Sequence, residues 1–139
     1  MKRRELREHL FKIVFIFSFT PEKDMDEQID LYLDGLENIR ESDREYLRNR
    51  CCAVHEHIDE IDSLLDRTAK GWTTDRFASA DLAILRVACY EMLFDDNIPE
   101  GVAINEAVEI AKIYGGDDSP SFINGILGNI SAAGRSSEA

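Results

Sequence analysis

The sequence is poor in the features that announce chemistry. Its three cysteines, Cys51, Cys52 and Cys89, are odd in number, two are adjacent and none forms a CxxC pair, so neither a disulfide framework nor a thiolate metal site can be drawn. Such usage suits a reducing cytoplasm. There is no glycine-rich phosphate loop, no GxSxG turn and no carboxylate pair set among apolar residues that would tune its acidity. His55 and His57 stand two apart, which points them to different sides of a helix, and they lack the four-residue spacing that brings two rings to one ion. The expectation is a non-enzyme with no cofactor and no metal. No run approaches the roughly 20 apolar residues that a bilayer demands. Bases precede the run IVFIFSF as in a signal peptide, but the run is short, Glu5 and Glu8 interrupt the basic part, and no small-residue cleavage site follows. Positive charge is also scarce: 28 acids against 16 lysines and arginines leave −12, and a uniformly acidic surface would repel nucleic acid or an anionic membrane.

The distribution of charge matters more than its sum. The first twelve residues hold five bases (Lys2, Arg3, Arg4, Arg7, Lys12) against two acids, a local +3, so the other 127 residues carry −15. One basic end sits on an acidic body. At 139 residues the chain suits one domain. Apolar residues recur at three- and four-residue steps almost throughout, which predicts an all-α fold, a compact bundle of six to seven helices in two small subdomains. The halves are expected at about 1–70 and 72–131, divided around Lys70, Gly71 and Trp72, with a structureless tail over 132–139 rich in Ser, Ala and Gly.

The first helix is predicted over 3–19 with a core stripe of Leu6, Leu10, Ile13 and Phe17. Beside that stripe the arginines lead into Phe11 and Phe15, a strip that could hold phosphates and stack bases if those rings are not simply core. Ile29, Leu33 and Leu36 mark a second helix after a loop from Thr20 to Asp26. Ser42 with Glu45 reads as a capping box opening a third helix, whose seam (Leu47, Cys51, Val54, Ile58, Ile61, Leu65) packs internally rather than in a coiled-coil dimer. Thr73 or Thr74 would cap a helix over 75–94, bent near Ser79, in which Arg86 requires an ion-pair partner.

The stretch from Pro99 to Ile130 organises the rest. Ile104, Ala107, Val108, Ala111 and Tyr114 share one helical face, and Gly115 and Gly116 fit a left-handed stop. Ser119 as N-cap with Pro120 opens a last helix that buries Phe122, Ile123, Ile126, Leu127 and Ile130. Gly125 and Gly128 imply close approach of another helix, and Asn105 and Asn124 would satisfy backbone groups between packed helices.

The strings VAINEAVEIAK and SFINGIL, joined by a short acidic loop, closely resemble the C-terminal signature of the NusB family of bacterial transcription antitermination factors. RRELREHLFKIVF and ADLAILRVACYEML resemble the same family, so the likeness runs from Arg3 to Ile130. Lys12 stands where the family often has Gln, and Phe15 where it often has Tyr, so a hydrogen bond from that hydroxyl is lost. The resemblance implies a NusB-like fold that binds the boxA element of nascent ribosomal RNA leaders together with NusE, a small-subunit ribosomal protein, and helps RNA polymerase read through terminators. By family position Arg3, Arg4 and Arg7, with Lys2 beside them, would contact phosphates, and Lys112, Asp118 and Phe122 would lie beside the RNA. Asp81 would face the partner, pairing with one of its bases, with Phe15 nearby. Two alternatives remain: a helical adaptor that binds only protein, and a relative of the NusB-like domain of ribosomal RNA cytosine methyltransferases. In those enzymes a nucleotide-cofactor domain follows, whereas this sequence stops soon after Ile130, so the free-standing factor is expected.

Overall fold

A computed structural model describes residues 1–69 and 77–138, which contain seven α-helices. These are α1 (Arg3–Phe17), α2 (Met25–Asp34) after a 3₁₀ turn at Glu22–Asp24, α3 (Glu41–Glu56), α4 (Ile58–Thr68), α5 (Ser79–Phe94), α6 (Glu100–Tyr114) and α7 (Ser119–Glu138). The α5 sequence is apolar on nearly every side, and a helix with no polar face belongs in the middle of a bundle. It packs against α1, α3, α4, α6 and α7, and every residue from Asp81 to Cys89 is buried. Among the charged residues buried there, Arg86 has found its partner. Its Nε and Nη2 donate to the two carboxylate oxygens of Asp62 on α4 at 2.9 and 2.7 Å, the ion pair that its surroundings demanded.

The predicted seams largely form the core: Leu10, Ile13 and Phe17 of α1, Ile29 and Leu33 of α2, Leu47, Cys51, Val54, Ile61 and Leu65 of α3 and α4, and Ile123, Ile126, Leu127 and Ile130 of α7 are all buried in one cluster. Burial pushes the Cys51 and Cys89 thiols up to about 12, so both behave as small hydrophobes.

Several local expectations are corrected. The third helix is two helices, because the backbone breaks at His57 (φ −100°, ψ 12°), whose ring stacks on Phe94 at 4.1 Å. No side-chain cap forms at the start of α3, where Arg40 rather than Ser42 is the capping residue. Ser79 begins α5 instead of bending it, while Thr73 and Thr74 lie outside the described residues. Asn105 and Asn124 are exposed, so neither serves a helix interface. Tyr114, assigned to the core by its spacing, is 37% exposed. The last helix continues past Ile130, where composition had indicated a tail, and Ser131 is buried with its hydroxyl donating to Glu100 at 2.5 Å.

The glycines divide in the opposite way from their expected roles. Gly115 has φ −93°, so no left-handed stop is present; the reason for glycine is space, since a Cβ there would lie 2.5 Å from Ser119 Cβ and 2.8 Å from the Ala111 carbonyl oxygen. Ser119 is the first residue of α7, and its hydroxyl accepts from the Gly116 N–H at 2.9 Å, tightening the elbow backwards. Around Gly125 and Gly128 nothing lies within 4 Å of an added Cβ. Gly115→Ala should therefore cost about 1–3 kcal/mol through forced backbone movement, whereas Gly125→Ala should gain about 1 kcal/mol from helix propensity. Urea melts of the two variants will show midpoints displaced in opposite directions.

Candidate nucleic-acid interface

The basic end of the chain is laid along α6. Arg4 donates through Nε and Nη2 to Glu106 at 2.9 Å each, and seven residues further along α1 the Phe11 ring meets Tyr114 at 5.2 Å between centroids. The two helices thus advance in the same direction. From Glu106 to Tyr114 is about 12 Å of helix rise, so the arginine end and the Gly115–Gly116 elbow share one side of the molecule, two turns apart. Lys12 bridges the gap, with Nζ 5.5 Å from the Tyr114 ring centre.

The expected phosphate ligands do not stand alike. Lys2 and Arg3 are exposed, and Arg3 makes no ion pair among the described residues. The Arg4 side chain is 55% exposed and remains accessible on one side of its carboxylate partner. Arg7 differs. Its side chain is 11% exposed and donates through Nε and Nη2 to Glu91 on α5, itself 4% exposed, at 2.8–3.1 Å. A phosphate would have to break that pair, so Arg7 is an anchor of α1 rather than an open ligand. No local pattern could have revealed Glu91 or Glu106, because each arginine finds its partner across a helix interface.

At the elbow end the first turn of α5 lines two grooves, one at Ala80 and the other at Asp81. One, of about 260 Å³, is lined by Phe11, Lys12, Phe15, Ala80 and Tyr114. Phe11 belongs to the core, whereas Phe15 is half-buried and passes the aromatic surface on to Phe19, 65% exposed, at 5.2 Å. The other groove, of about 470 Å³, runs between Phe77 and Phe122 and is edged by Asp81, Asp117 and Asp118. Phe122 is half-buried, edge-on to Phe77 at 5.4 Å, and Asp118 is exposed. Lys112 is 57% exposed and bound to Glu109, one turn away on α6, at 3.0 Å. Asp81 is the unusual member: it is 9% exposed, and its Oδ1 has no hydrogen-bond partner among the described residues. A buried carboxylate oxygen left unmatched is costly, which marks a place where a donor from outside would be favoured.

The carboxyl of Glu106 is held below its ordinary value of 4.5 by hydrogen bonds from Arg4, and that of Asp95 below 3.8 by a hydrogen bond from Arg50. A depressed folded value means that each contributes stability fully above its unfolded value and loses it as pH falls through the folded one. Helicity followed on acidification should hold steady above about pH 5 and weaken below it. Glu106→Gln with Asp95→Asn should flatten that decline.

Comparison with known proteins gives a consistent result. The model of the NusB family matches residues 4–132. The transcription antitermination protein NusB of Agathobacter rectalis is 46% identical over 127 residues, covering 91% of this chain and 97% of that protein. That of Lachnoclostridium phytofermentans is 46% identical over 130 residues, with 94% and 98% covered. Among solved structures, T. maritima NusB superposes with a TM-score of 0.86 at 35% identity, covering 95% of this chain and 92% of that one. A crystal structure of the antitermination factors NusB and NusE in complex with double-stranded RNA shares the fold, with a TM-score of 0.83 at 22% identity, covering 94% and 96%.

Proposed function

The chain belongs to the NusB family, and on that premise we propose that it is an RNA-binding transcription antitermination factor. With NusE it binds the boxA element of nascent ribosomal RNA leader transcripts in the cytoplasm and promotes read-through by RNA polymerase. The role is one of binding, without catalysis. The observation that carries the reading is the one-sided strip: exposed Lys2, Arg3 and Arg4 continue through Lys12 and the aromatic rings to the elbow between α6 and α7, on a chain of net charge −12. Lys2, Arg3 and Arg4 take phosphates. Arg7 holds α1 against α5 so that they project together. Lys112, Asp118 and Phe122 border the RNA beyond, where exposed Lys112 can exchange its half-buried Glu109 partner for a phosphate and Phe122 offers a half-buried ring edge.

The partner side is proposed at Asp81 and Phe15. The unmatched Oδ1 of Asp81 suits a lysine or arginine of NusE, and the apolar groove beside Phe15 suits the side chains around it. Charge supports the division of labour. A body at −15 binds RNA poorly alone and docks a basic ribosomal protein well, which covers acids and brings further bases to the phosphates. Binding to RNA should accordingly be weak for the single chain and tighter for the heterodimer. Titrating boxA RNA and a scrambled control, with and without NusE, tests this. Equal affinity in all four cases would overturn the proposal, and binding of NusE without any RNA contribution would leave a protein adaptor.

A further inference from the structure

A third groove, which shares Arg3 with the proposed interface and continues beyond it, lies at the opposite end of α1 from the Gly115–Gly116 elbow. It has a volume of about 230 Å³ and is walled by Arg3 and Arg7 of α1, Tyr46 and Arg50 of α3, and Asp95 and Asn97 of the loop between α5 and α6. Three guanidinium groups around one groove are notable in so acidic a chain. Two are neutralised in place, Arg7 by Glu91 and Arg50 by Asp95 at 2.6 Å, so the groove keeps one net positive charge, that of Arg3, which has no ion-pair partner among the described residues. That is the charge of one phosphodiester with the sign reversed. Arg50 is packed between Tyr46 and Tyr90, its Cζ 5.4 and 5.0 Å from the ring centres, and its enclosed Nη1 has no hydrogen-bond partner among the described residues. Tyr46 is 36% exposed at the wall, and the Asn97 side chain is exposed at the mouth.

We propose that this groove holds one further nucleotide of single-stranded RNA, its phosphate on Arg3 with Arg50 behind, its base against the Tyr46 ring and within reach of the Asn97 amide. Phosphate, flat ring and amide are the three elements that grip an unpaired nucleotide. Resting on the RNA-binding reading above, the assignment lengthens the bound strand: the RNA continues past the arginines, away from the elbow, towards α3.

The test uses the whole chain with NusE, a boxA RNA, and the same RNA lengthened by a few uridines at one end or the other. One of the two lengthened RNAs should bind about tenfold tighter than the core RNA, as one stacked base contributes. Asn97→Asp, which adds an anion at the groove mouth without touching the core, should erase that gain and leave affinity for the core RNA unchanged. 5-Iodouridine in the extension should crosslink to Tyr46. If neither extension tightens binding, or if the gain survives both Asn97→Asp and Tyr46→Leu, the inference is overturned while boxA recognition stands. Binding of inorganic phosphate at Arg3 and Arg50 with no gain from either extension also overturns it, in favour of a site for free anions. Failure of the core RNA itself to bind would remove both readings.

Discussion

Replacing Arg7 by alanine should destabilise the protein by about 3–5 kcal/mol, because Glu91 would stay buried with no guanidinium to meet its charge. For a chain of this size that is a fall of roughly 10–15 °C in Tm. Glu91 is 4% exposed and accepts from the Arg7 guanidinium at 2.8–3.1 Å, so water cannot take over without opening the interface between α1 and α5. The control is the paired replacement Arg7→Met with Glu91→Leu. Removing both charges and refilling the volume should restore most of the stability, since an apolar pair of similar size usually equals or exceeds a buried ion pair. Thermal melts of the single and double variants decide the matter: if Arg7→Ala melts with the wild type, Arg7 is not the anchor argued above and becomes available to a phosphate.

The second large effect is on RNA and should disturb folding far less than the loss of Arg7 does, since the Arg4 side chain is 55% exposed. Arg3→Glu together with Arg4→Glu reverses two exposed charges, neither of which supports the core. Affinity of the heterodimer for boxA RNA should fall by roughly two orders of magnitude, about tenfold for each guanidinium that no longer donates to a phosphate. The salt dependence gives an independent reading. With Lys2, Arg3 and Arg4 on three phosphates, log affinity should decline against log salt with a slope of roughly −2 from these residues, and with Lys2 alone roughly −0.7. An unchanged slope in the double variant would mean that these guanidinium groups are only solvated. Arg7→Ala and the double reversal thus separate two roles within one short basic helix: one residue is read out by Tm, the other two by RNA retention.

Much of the candidate interface is legible along the chain itself. The concentration of bases in the first twelve residues, the Gly-Gly elbow after α6 and the apolar periods of α1 and α7 are local patterns, and local patterns are what helix geometry reads. Pairings between distant segments are not legible in this way. Arg4 and Arg7 meet carboxylates 102 and 84 residues away, so their partners, and with them the split between open and anchored arginines, could not be inferred from the run RRELR. Gly125 and Gly128 show the same limit from the other side. Glycine within a helix permits a neighbour to come close but does not require one, and here the space is empty.

Repetition at three and four residues settled the all-helical class, most of the buried set and the presence of a basic, aromatic edge, because a helix repeats its faces at that interval whatever surrounds it. Packing decided the rest. Whether Arg7 faced solvent or Glu91, whether Gly115 was needed for its backbone angles or for the room beside Ser119, and which end of α1 opened onto a second groove all depend on what each helix meets across its interface. That is a property of the assembled bundle, to which spacing along a single strand of sequence is blind.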